Sequence, residues 1–423
     1  MPRARRSASP LAGSRRDAAA GVGAAGHLAA FALAATLAAC TPPIVDPEAP
    51  LVVPLRWIPG ADGLGWDEAR AGLWWALSNL GAAPPADEAG LVVEAEGDDG
   101  VTFTLDLGAV GFPAARLPAV EAAVVPVRAR AMEAGAVDLG PFLLGTLYDP
   151  GRYYAITGAC PTLEAWRAAR QAPDPGRYAV TLSLLVAGDR LVTFNPAPVV
   201  DDADPVGALA ELGWLAEEGE GSLADGSFAA SEYETVDLMA NGQQRYAVYD
   251  ATGALRAAGA ESPAGQPGKC MWCHELHVQT GTPDNPSAEG YTSYAEFAAE
   301  VAAAEALLAS AREATPNAVD WAYTTHEWAE HLTRGYLEPS AGRVAREWGV
   351  SVAEVEAEGL PTHDNAEFPE WGPLYDRVDV DLARAAREPG WAPLATPPSD
   401  RELDPAWPLA GVEGLDCRPA ASR

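Results

Sequence analysis

Two thiols and an imidazole lie within five consecutive residues, Cys270-Met271-Trp272-Cys273-His274. Two cysteines at this spacing can bind a metal ion, act as a redox-active dithiol, or each form a thioether with a vinyl group of a cofactor. In the last case the adjacent histidine reaches the metal that the cofactor carries. These residues are therefore the strongest candidates for chemistry in the chain.

The pattern Cys-x-x-Cys-His resembles the haem-attachment site of c-type cytochromes, and the resemblance covers residues 270–274 alone. It implies one covalent haem c, thioether bonds from Cys270 and Cys273, and His274 as the proximal ligand of the iron. A zinc site that uses both cysteines with two histidines, and a redox dithiol, are the competing interpretations. Neither needs a histidine at position 274, so we prefer the haem.

The second axial ligand of such a haem is a separate question. Many small c-type cytochromes supply a methionine from further along the chain, but no methionine follows Met271. His277 lies one helical turn after His274 and would face the same side of the porphyrin. Met239, which precedes the motif, stays a candidate if the preceding region covers the haem.

Three other histidines that follow the motif are candidates for the distal iron ligand. His326 and His331 belong to one predicted helix but, five positions apart, point to different faces of it. His363 lies in a predicted loop, and we favour it slightly because a loop can carry an imidazole over a haem that a distant helix holds. If the sixth position is open, His326, Glu327 or His331 can serve as the acid-base group of a peroxidase-type enzyme.

The N-terminus predicts export. Five arginines precede an apolar stretch at residues 28–37, which is too short and too rich in alanine for a stable membrane span. The stretch runs into a Leu-Ala-Ala-Cys sequence that ends at Cys40 and resembles the lipobox of bacterial lipoproteins. The resemblance implies that residues 1–39 are removed and that Cys40 is lipidated. A weak transmembrane anchor and an ordinary cleaved signal are the alternatives.

The lipobox and the haem motif predict the same location. With Thr41 after the lipidated cysteine, the resemblance favours the outer membrane, facing the periplasm or the cell surface. The membrane is then a partner through the lipid on Cys40, and haem c is joined to its motif only outside the cytoplasm. Cys160 and Cys417 remain, and in an oxidising compartment they can form a disulfide or stay as separate buried thiols.

The chain is strongly acidic. Its 28 Lys and Arg residues stand against 60 Asp and Glu residues, which gives a formal net charge of −32 at pH 7. A protein with this charge repels nucleic-acid phosphates, so we expect no nucleic-acid partner. The 423 residues, 48% of them hydrophobic, are enough for a sizeable core and favour two or three domains.

Changes in composition divide the chain. Short alternating apolar runs between turn residues predict antiparallel strands, and capping boxes with helical periodicity predict helices after the motif. The predicted fold class is α+β, with an N-terminal antiparallel-sheet domain and flanking helices followed by a mainly α-helical haem-bearing domain. The predicted divisions are a signal peptide 1–39, a Pro-rich tether 40–54, an α+β domain of unknown role 55–255, a linker 256–268, a helical c-type haem domain 269–390 and a Pro-rich C-terminal tail 391–423.

The same patterns predict individual elements. Three hairpins are expected, with strands at residues 91–93 and 101–105, 178–186 and 191–194, and 233–238 and 246–249. Helices are expected at residues 66–80, 293–311, 319–333, 340–348 and 352–358.

Together these features favour a lipid-anchored monohaem c-type cytochrome-like protein that exchanges electrons with an unidentified redox partner protein in the cell envelope. We prefer a carrier to a catalyst because no nucleophile or pair of carboxylates near the motif demands chemistry. The alternatives are a haem enzyme of peroxidase type with an open sixth position and a non-catalytic surface-binding lipoprotein with a structural zinc site.

Overall fold

The structure, a computed structural model, consists of helices and largely antiparallel sheets. The predicted α+β fold class is therefore confirmed. The model describes residues 49–170, 178–182, 189–194, 204–259, 267–274, 292–365, 368–394, 407–409, 411–412 and 417. At Lys269, Trp272, Cys273 and residues 178–182 it describes the backbone alone.

The first sheet in the described part has four strands in the order β2-β3-β1-β4. These strands are β1 (Val52–Trp57), β2 (Leu91–Gly97), β3 (Gly100–Asp106) and β4 (Val137–Asp138). β1 and β4 are parallel, and the other neighbours are antiparallel. The predicted hairpin of β2 and β3 is confirmed, and Gly100 at its turn has a φ of 129°, a conformation that favours glycine.

The second sheet in the described part is a meander of six antiparallel strands in the order β10-β9-β8-β7-β6-β5. Its strands are β5 (Tyr178–Leu182), β6 (Asp189–Phe194), β7 (Gly213–Glu220), β8 (Ala229–Leu238), β9 (Gln244–Asp250) and β10 (Leu255–Arg256). The predicted hairpins β5–β6 and β8–β9 are confirmed. One face of this sheet carries Phe194, Trp214 and Leu238, which pack against a long helix that includes Phe297.

The helices lie before, on and after the Cys-x-x-Cys-His motif in the sequence. Those before the motif are α1 (Trp66–Asn79), α2 (Leu117–Ala134), α3 (Leu139–Leu144), α4 (Pro150–Thr157), α5 (Leu163–Ala169) and α6 (Pro205–Leu209). The motif lies on α7 (Pro267–His274), and α8 (Tyr294–Ala314), α9 (Tyr323–Leu337), α10 (Ala341–Trp348), α11 (Val352–Ala357) and α12 (Arg377–Arg387) follow. None of the helices in these described ranges is long and apolar enough to cross a membrane.

Two of the predicted helix starts are confirmed by their side-chain hydrogen bonds. Ser293 forms a capping box with Glu296 at the start of α8, and Ser351 forms one with Glu354 at the start of α11. These boxes satisfy backbone N–H groups that the first turn of a helix cannot pair. A short local pattern was therefore enough to place both helix starts.

Two expectations about the histidine-bearing segments are wrong. Helix α9 begins at Tyr323 rather than near Val319. The side chains of Asn317 and Asp320 accept hydrogen bonds from the backbone N–H groups two residues later, and these bonds form turns before the helix. Helix α9 also ends at Leu337 rather than at residue 333. His363 lies on the short strand β11 (Thr362–Asp364), paired with β12 (Pro373–Tyr375), rather than in a loop.

The largest hydrophobic cluster draws on segments far apart in the sequence. It includes Leu55 of β1 and Leu73 of α1, and also Met271 of α7 and Leu332 of α9. Residues on both sides of the predicted linker thus share one packed interior. The division of the chain into the two predicted domains stays a prediction.

Candidate functional site

Helix α7 holds the Cys-x-x-Cys-His motif against the protein interior. It begins with Pro267, whose missing N–H costs nothing in a first turn, and it packs against α4 and β9. Gly268 allows this close approach, because a Cβ there would lie 2.6 Å from Cδ1 of Tyr148. Met271 is 5% exposed and Cys270 packs on the same cluster, so the motif is anchored in the core.

His274, at the end of α7, has an apolar environment. Its ring centroid lies 5.6 Å from that of Tyr246 on β9. Its Nδ1 is buried and has no hydrogen-bond partner among the residues that the structure describes. Burial lowers the pKa of His274 to about 4, and the positive charge of Arg190 contributes to the same shift. The imidazole is therefore neutral at neutral pH, the form in which histidine binds a metal.

His326, in the first turn of α9, lies beside the motif. It is 6% exposed, and a hydrogen bond joins its ring to the backbone of Met271. Burial lowers the pKa of His326 to about 4, although that hydrogen bond opposes the shift. Its Nδ1 has no hydrogen-bond partner within the described ranges. The structure thus brings a second buried, neutral imidazole to α7.

A series of aromatic and cationic side chains connects the surroundings of the two histidines. The rings of Trp75 and His326 are 5.7 Å apart, and those of Trp75 and Trp321 are 5.4 Å apart, both in edge-on geometry. Arg312 lies 4.1 Å above the Trp321 ring and interacts electrostatically with Tyr246, the neighbour of His274. Pairwise contacts therefore link the neighbours of His326 to those of His274.

The other two candidate ligands have different neighbours. The His331 ring meets Phe368 and Trp371 edge-on, with centroids 5.2 and 5.1 Å away. His363 is 43% exposed, and its Nε2 lies 3.3 Å from Oε1 of Glu338. Because His326 and His331 contact different partners, the expectation that they occupy different faces of one helix is confirmed.

The remaining cysteines and two further candidates are accounted for as follows. Cys160 and Cys417 form a disulfide, with their Cα atoms 4.9 Å apart. Met239 lies at the turn after β8, near Gly81. Cys40 and His277 lie outside the described residues, and so does the side chain of Cys273.

A group of acidic side chains on the second sheet was not identified from the sequence. Arg190 on β6 lies 3.0 Å from Oε1 of Glu218 on β7 and 2.9 Å from Oε2 of Glu234 on β8. Glu232 lies two residues before Glu234 and so faces the same side of the sheet. The signal that could have revealed the group is the occurrence of charged residues at alternate positions of a predicted strand.

The described side chains, which do not include that of Cys273, contain no group of three His, Cys, Asp or Glu residues that could hold a metal ion. What the arrangement does contain is a Cys-x-x-Cys-His helix that ends in His274, whose Nδ1 is buried, and a second imidazole, that of His326, hydrogen bonded to the backbone of Met271 on the same helix.

Comparison with known proteins identified no relative. No family model matches the chain, and neither a curated protein nor a solved structure matches it. What the site can do therefore follows from its own residues and their surroundings.

Proposed function

We propose that this protein is a lipid-anchored electron carrier of the cell envelope with one covalent haem c, held by Cys270, Cys273 and His274. The observation that carries the proposal is the Cys-x-x-Cys-His motif on α7, a helix packed on the core. A haem attached there would supply a one-electron change between ferric and ferrous iron. The protein's own residues hold the group, orient it and keep water from it.

The residues around the motif fit such a group. The ring of His274 is buried and its Nδ1 has no hydrogen-bond partner in the described part of the chain, which is costly unless something else binds the imidazole. Metal coordination through one ring nitrogen offsets that cost. Tyr246 and Met271 provide the apolar surroundings that a porphyrin requires.

Of the candidate distal ligands, His326 rather than His363 would hold the iron of such a haem. His326 is buried at the motif and its Nδ1 lacks a partner within the described ranges, whereas His363 is 43% exposed and contacts Glu338. A ligand on α9 is also held by a helix that packs along α1, so its position needs no loop movement. Two imidazole ligands favour a lower reduction potential than one imidazole and one thioether.

A peroxidase-type enzyme is the second candidate, and the same histidine favours it. If His326 does not bind the iron, its neutral imidazole beside the motif can act as the distal acid-base group. Glu327 follows it on the same helix. The coordination state of the iron therefore decides between a carrier and a catalyst.

Membrane attachment is supported by the sequence alone. The lipobox-like sequence that ends at Cys40, together with the Pro-rich segment after it, favours a tether that leaves the globular part free of the membrane surface. Incorporation of labelled fatty acid tests it, with Cys40→Ala as the variant that should lose the label.

The haem is tested by producing the exported protein in a host with cytochrome maturation machinery. We expect haem that stays attached on denaturing gels, and a reduced spectrum with sharp α and β bands that carbon monoxide does not change. Cys270→Ala and Cys273→Ala should lose covalent haem, whereas Cys417→Ser, which also removes a thiol, should keep it. A colourless wild-type protein that contains zinc would overturn the proposal, and a carbon monoxide-sensitive spectrum would favour the enzyme.

A further inference from the structure

One arginine on the second sheet contacts two carboxylates, of which Glu218 is buried and Glu234 is half-buried. Arg190 contacts Glu218 at 3.0 Å and Glu234 at 2.9 Å, and the side chain of Glu218 is 1% exposed. The guanidinium of Arg190 carries a single positive charge, which Glu218 and Glu234 share. Two close carboxylates in a region shielded from water disfavour each other's ionisation, and Glu234 is the member that tends to keep a proton.

The neighbours of the pair strengthen this tendency. Glu232 lies on the same face of β8 and adds a third carboxylate. Burial raises the pKa of Glu234 to about 7; Arg190 opposes the shift, and Glu218 and Glu232 add to it. The side chains of Arg190 and Glu234 are 18% and 14% exposed, so a proton can exchange with solvent.

Other charged groups at this face have different roles. Asp250 lies opposite Glu232 in the strand register and pairs with Arg256. Although burial opposes it, hydrogen bonds from Thr252, Ala254 and Arg256 lower the pKa of Asp250 to about 2, so this carboxylate stays ionised near neutrality. The Tyr246 ring that contacts His274 lies on the same face of the sheet as Glu234, because Tyr246 pairs with Val236, two residues along β8 from Glu234. The positive charge of Arg190 also contributes to the lowered pKa of His274.

We propose that the Glu218–Glu234 pair on Arg190 is a proton-binding site coupled to the oxidation state of a haem on His274. This inference rests on the proposed function. A haem bound there would lose one positive charge on reduction by an external one-electron donor, and the carboxylate pair would then take up a proton from solvent. On oxidation by a one-electron acceptor the pair would return the proton to solvent, so electron and proton would move in both directions together.

The sign of the coupling follows from linkage. An electron near the cluster raises its affinity for a proton, so the reduction potential falls as pH rises between the pKa of the cluster in the oxidised form and that in the reduced form. The upper limit is one proton per electron, a tenfold change in the redox equilibrium constant per pH unit, which corresponds to 59 mV. We expect the decrease to centre near neutrality.

The experiment is spectroelectrochemical titration of the haem-loaded protein from pH 5 to 9. Glu234→Gln and Glu218→Gln each leave Arg190 with one carboxylate, so both variants should lose the decrease near neutrality. Glu220→Gln is the matched control, because it removes an exposed carboxylate from the end of β7 and should keep the wild-type pH dependence. Haem propionates would titrate alike in all variants. A difference between variants in the pH dependence of the reduction potential would therefore arise from the cluster.

A direct measurement keeps the test independent of how well the variants fold. Wild-type protein reduced with dithionite near pH 7 should take up a fraction of a proton per electron, and its infrared difference spectrum should gain a protonated-carboxyl band. A haem-loaded wild type with no proton uptake, or a pH dependence unchanged in both Gln variants, would overturn this inference alone. Absence of haem would overturn it together with the proposed function.

Discussion

His274, His326 and His363 are the same residue type in environments that give them different chemistry. The first two are buried and neutral near pH 7, because the cost of placing a charged imidazole in the interior lowers the pKa of each to about 4. His363 is exposed and lies next to a carboxylate. Burial, rather than spacing from the motif, therefore separates the candidate iron ligands.

The ligand assignment makes a residue-scale prediction. We expect His326→Ala to convert the six-coordinate haem into a five-coordinate form that binds carbon monoxide, because the variant removes an imidazole that hydrogen bonds to the backbone of the motif. His363→Ala is the matched control and should leave the visible spectrum unchanged. The reverse result, in which only the His363 variant changes the spectrum, would show that our choice of ligand is wrong.

Glu347 shows how a buried carboxylate is compensated. It contacts Arg343 through Oε1 at 2.8 Å and Arg377 through Oε2 at 2.8 Å, and its side chain is 4% exposed. Burial by itself would raise its pKa, but Arg377 and Arg343 lower it from 4.5 to about 2. Because Arg343 also contacts Asp138 of β4, this network joins α10 and α12 to the first sheet.

The pKa of Glu347 sets a pH window for stability. Its folded-state pKa is depressed, so its contribution is present above the ordinary value of 4.5 and is lost as pH falls through that value toward about 2. Glu347→Gln should lower the free energy of unfolding near pH 7 by about 3–5 kcal/mol, because two guanidinium groups lose their buried partner. Urea denaturation at several pH values measures both effects, and the difference between variant and wild type should shrink below pH 4.5.

The control for this prediction is Glu388→Gln. Glu388 pairs with Arg384 at 3.2 Å but its side chain is 42% exposed, so we expect a loss of about 0.3–0.5 kcal/mol. Equal losses of unfolding free energy in the two variants would contradict the view that Glu347 contributes more to stability because it is buried.

At the scale of elements, the crossing of α1 and α9 positions His326. Gly72 on α1 lies against the backbone of α9, where an added Cβ would be 2.8 Å from the nitrogen of Ala329 and 2.8 Å from the carbonyl carbon of Trp328. Backbone atoms cannot move aside as a flexible side chain can. Glycine at this position therefore sets how closely the two helices approach.

Gly72→Ala tests this role. Steric overlap with α9 should lower the free energy of unfolding by about 1–3 kcal/mol in spite of the better helix propensity of alanine, and it should perturb the visible spectrum of a haem bound by His326. Gly342→Ala in α10 is the control, since its Cβ would meet Arg346 Nη1 at 3.7 Å and Ser340 Oγ at 3.9 Å, both ordinary van der Waals contacts. This variant should be neutral or stabilising by up to about 1 kcal/mol. The opposite order of stabilities in chemical denaturation would contradict the packing argument.

Elements differ in how much of them local sequence encodes. Helices α8 and α11 and the three hairpins follow from capping boxes, turns and periodicity, and each was predictable. Helix α2 was not predicted, and it contains Pro126 in its interior, a residue that normally ends a helix. Its buried residues Val120, Val124 and Val127 pack in the main cluster, so tertiary burial supports a helix that local rules disfavour.

At the scale of the whole molecule, the disulfide between Cys160 and Cys417 joins residues separated by 257 positions. It ties the segment after α4 to the C-terminal region, where Val412 packs in the main cluster. A cross-link over a long loop restricts the unfolded chain, which is one account of why disulfides stabilise proteins.

Removal of this cross-link should be measurable. We expect Cys417→Ser, or a reducing agent acting on wild type, to lower the free energy of unfolding by about 2–5 kcal/mol, observed by denaturant titration. The reducing agent should have no further effect on the variant, which is the internal control. Equal stability of oxidised and reduced wild type would show that the cross-link does not contribute.

What the sequence determined by itself is local and covalent: the Cys-x-x-Cys-His motif, the capping boxes, the hairpins and the absence of a later methionine. The tertiary structure decided which groups surround that motif. It brought His326 to Met271. It also brought Arg190, Glu218 and Glu234 together from three neighbouring strands. The physical reason is that spacing fixes local geometry, whereas burial and charge compensation depend on segments that meet only when the chain folds.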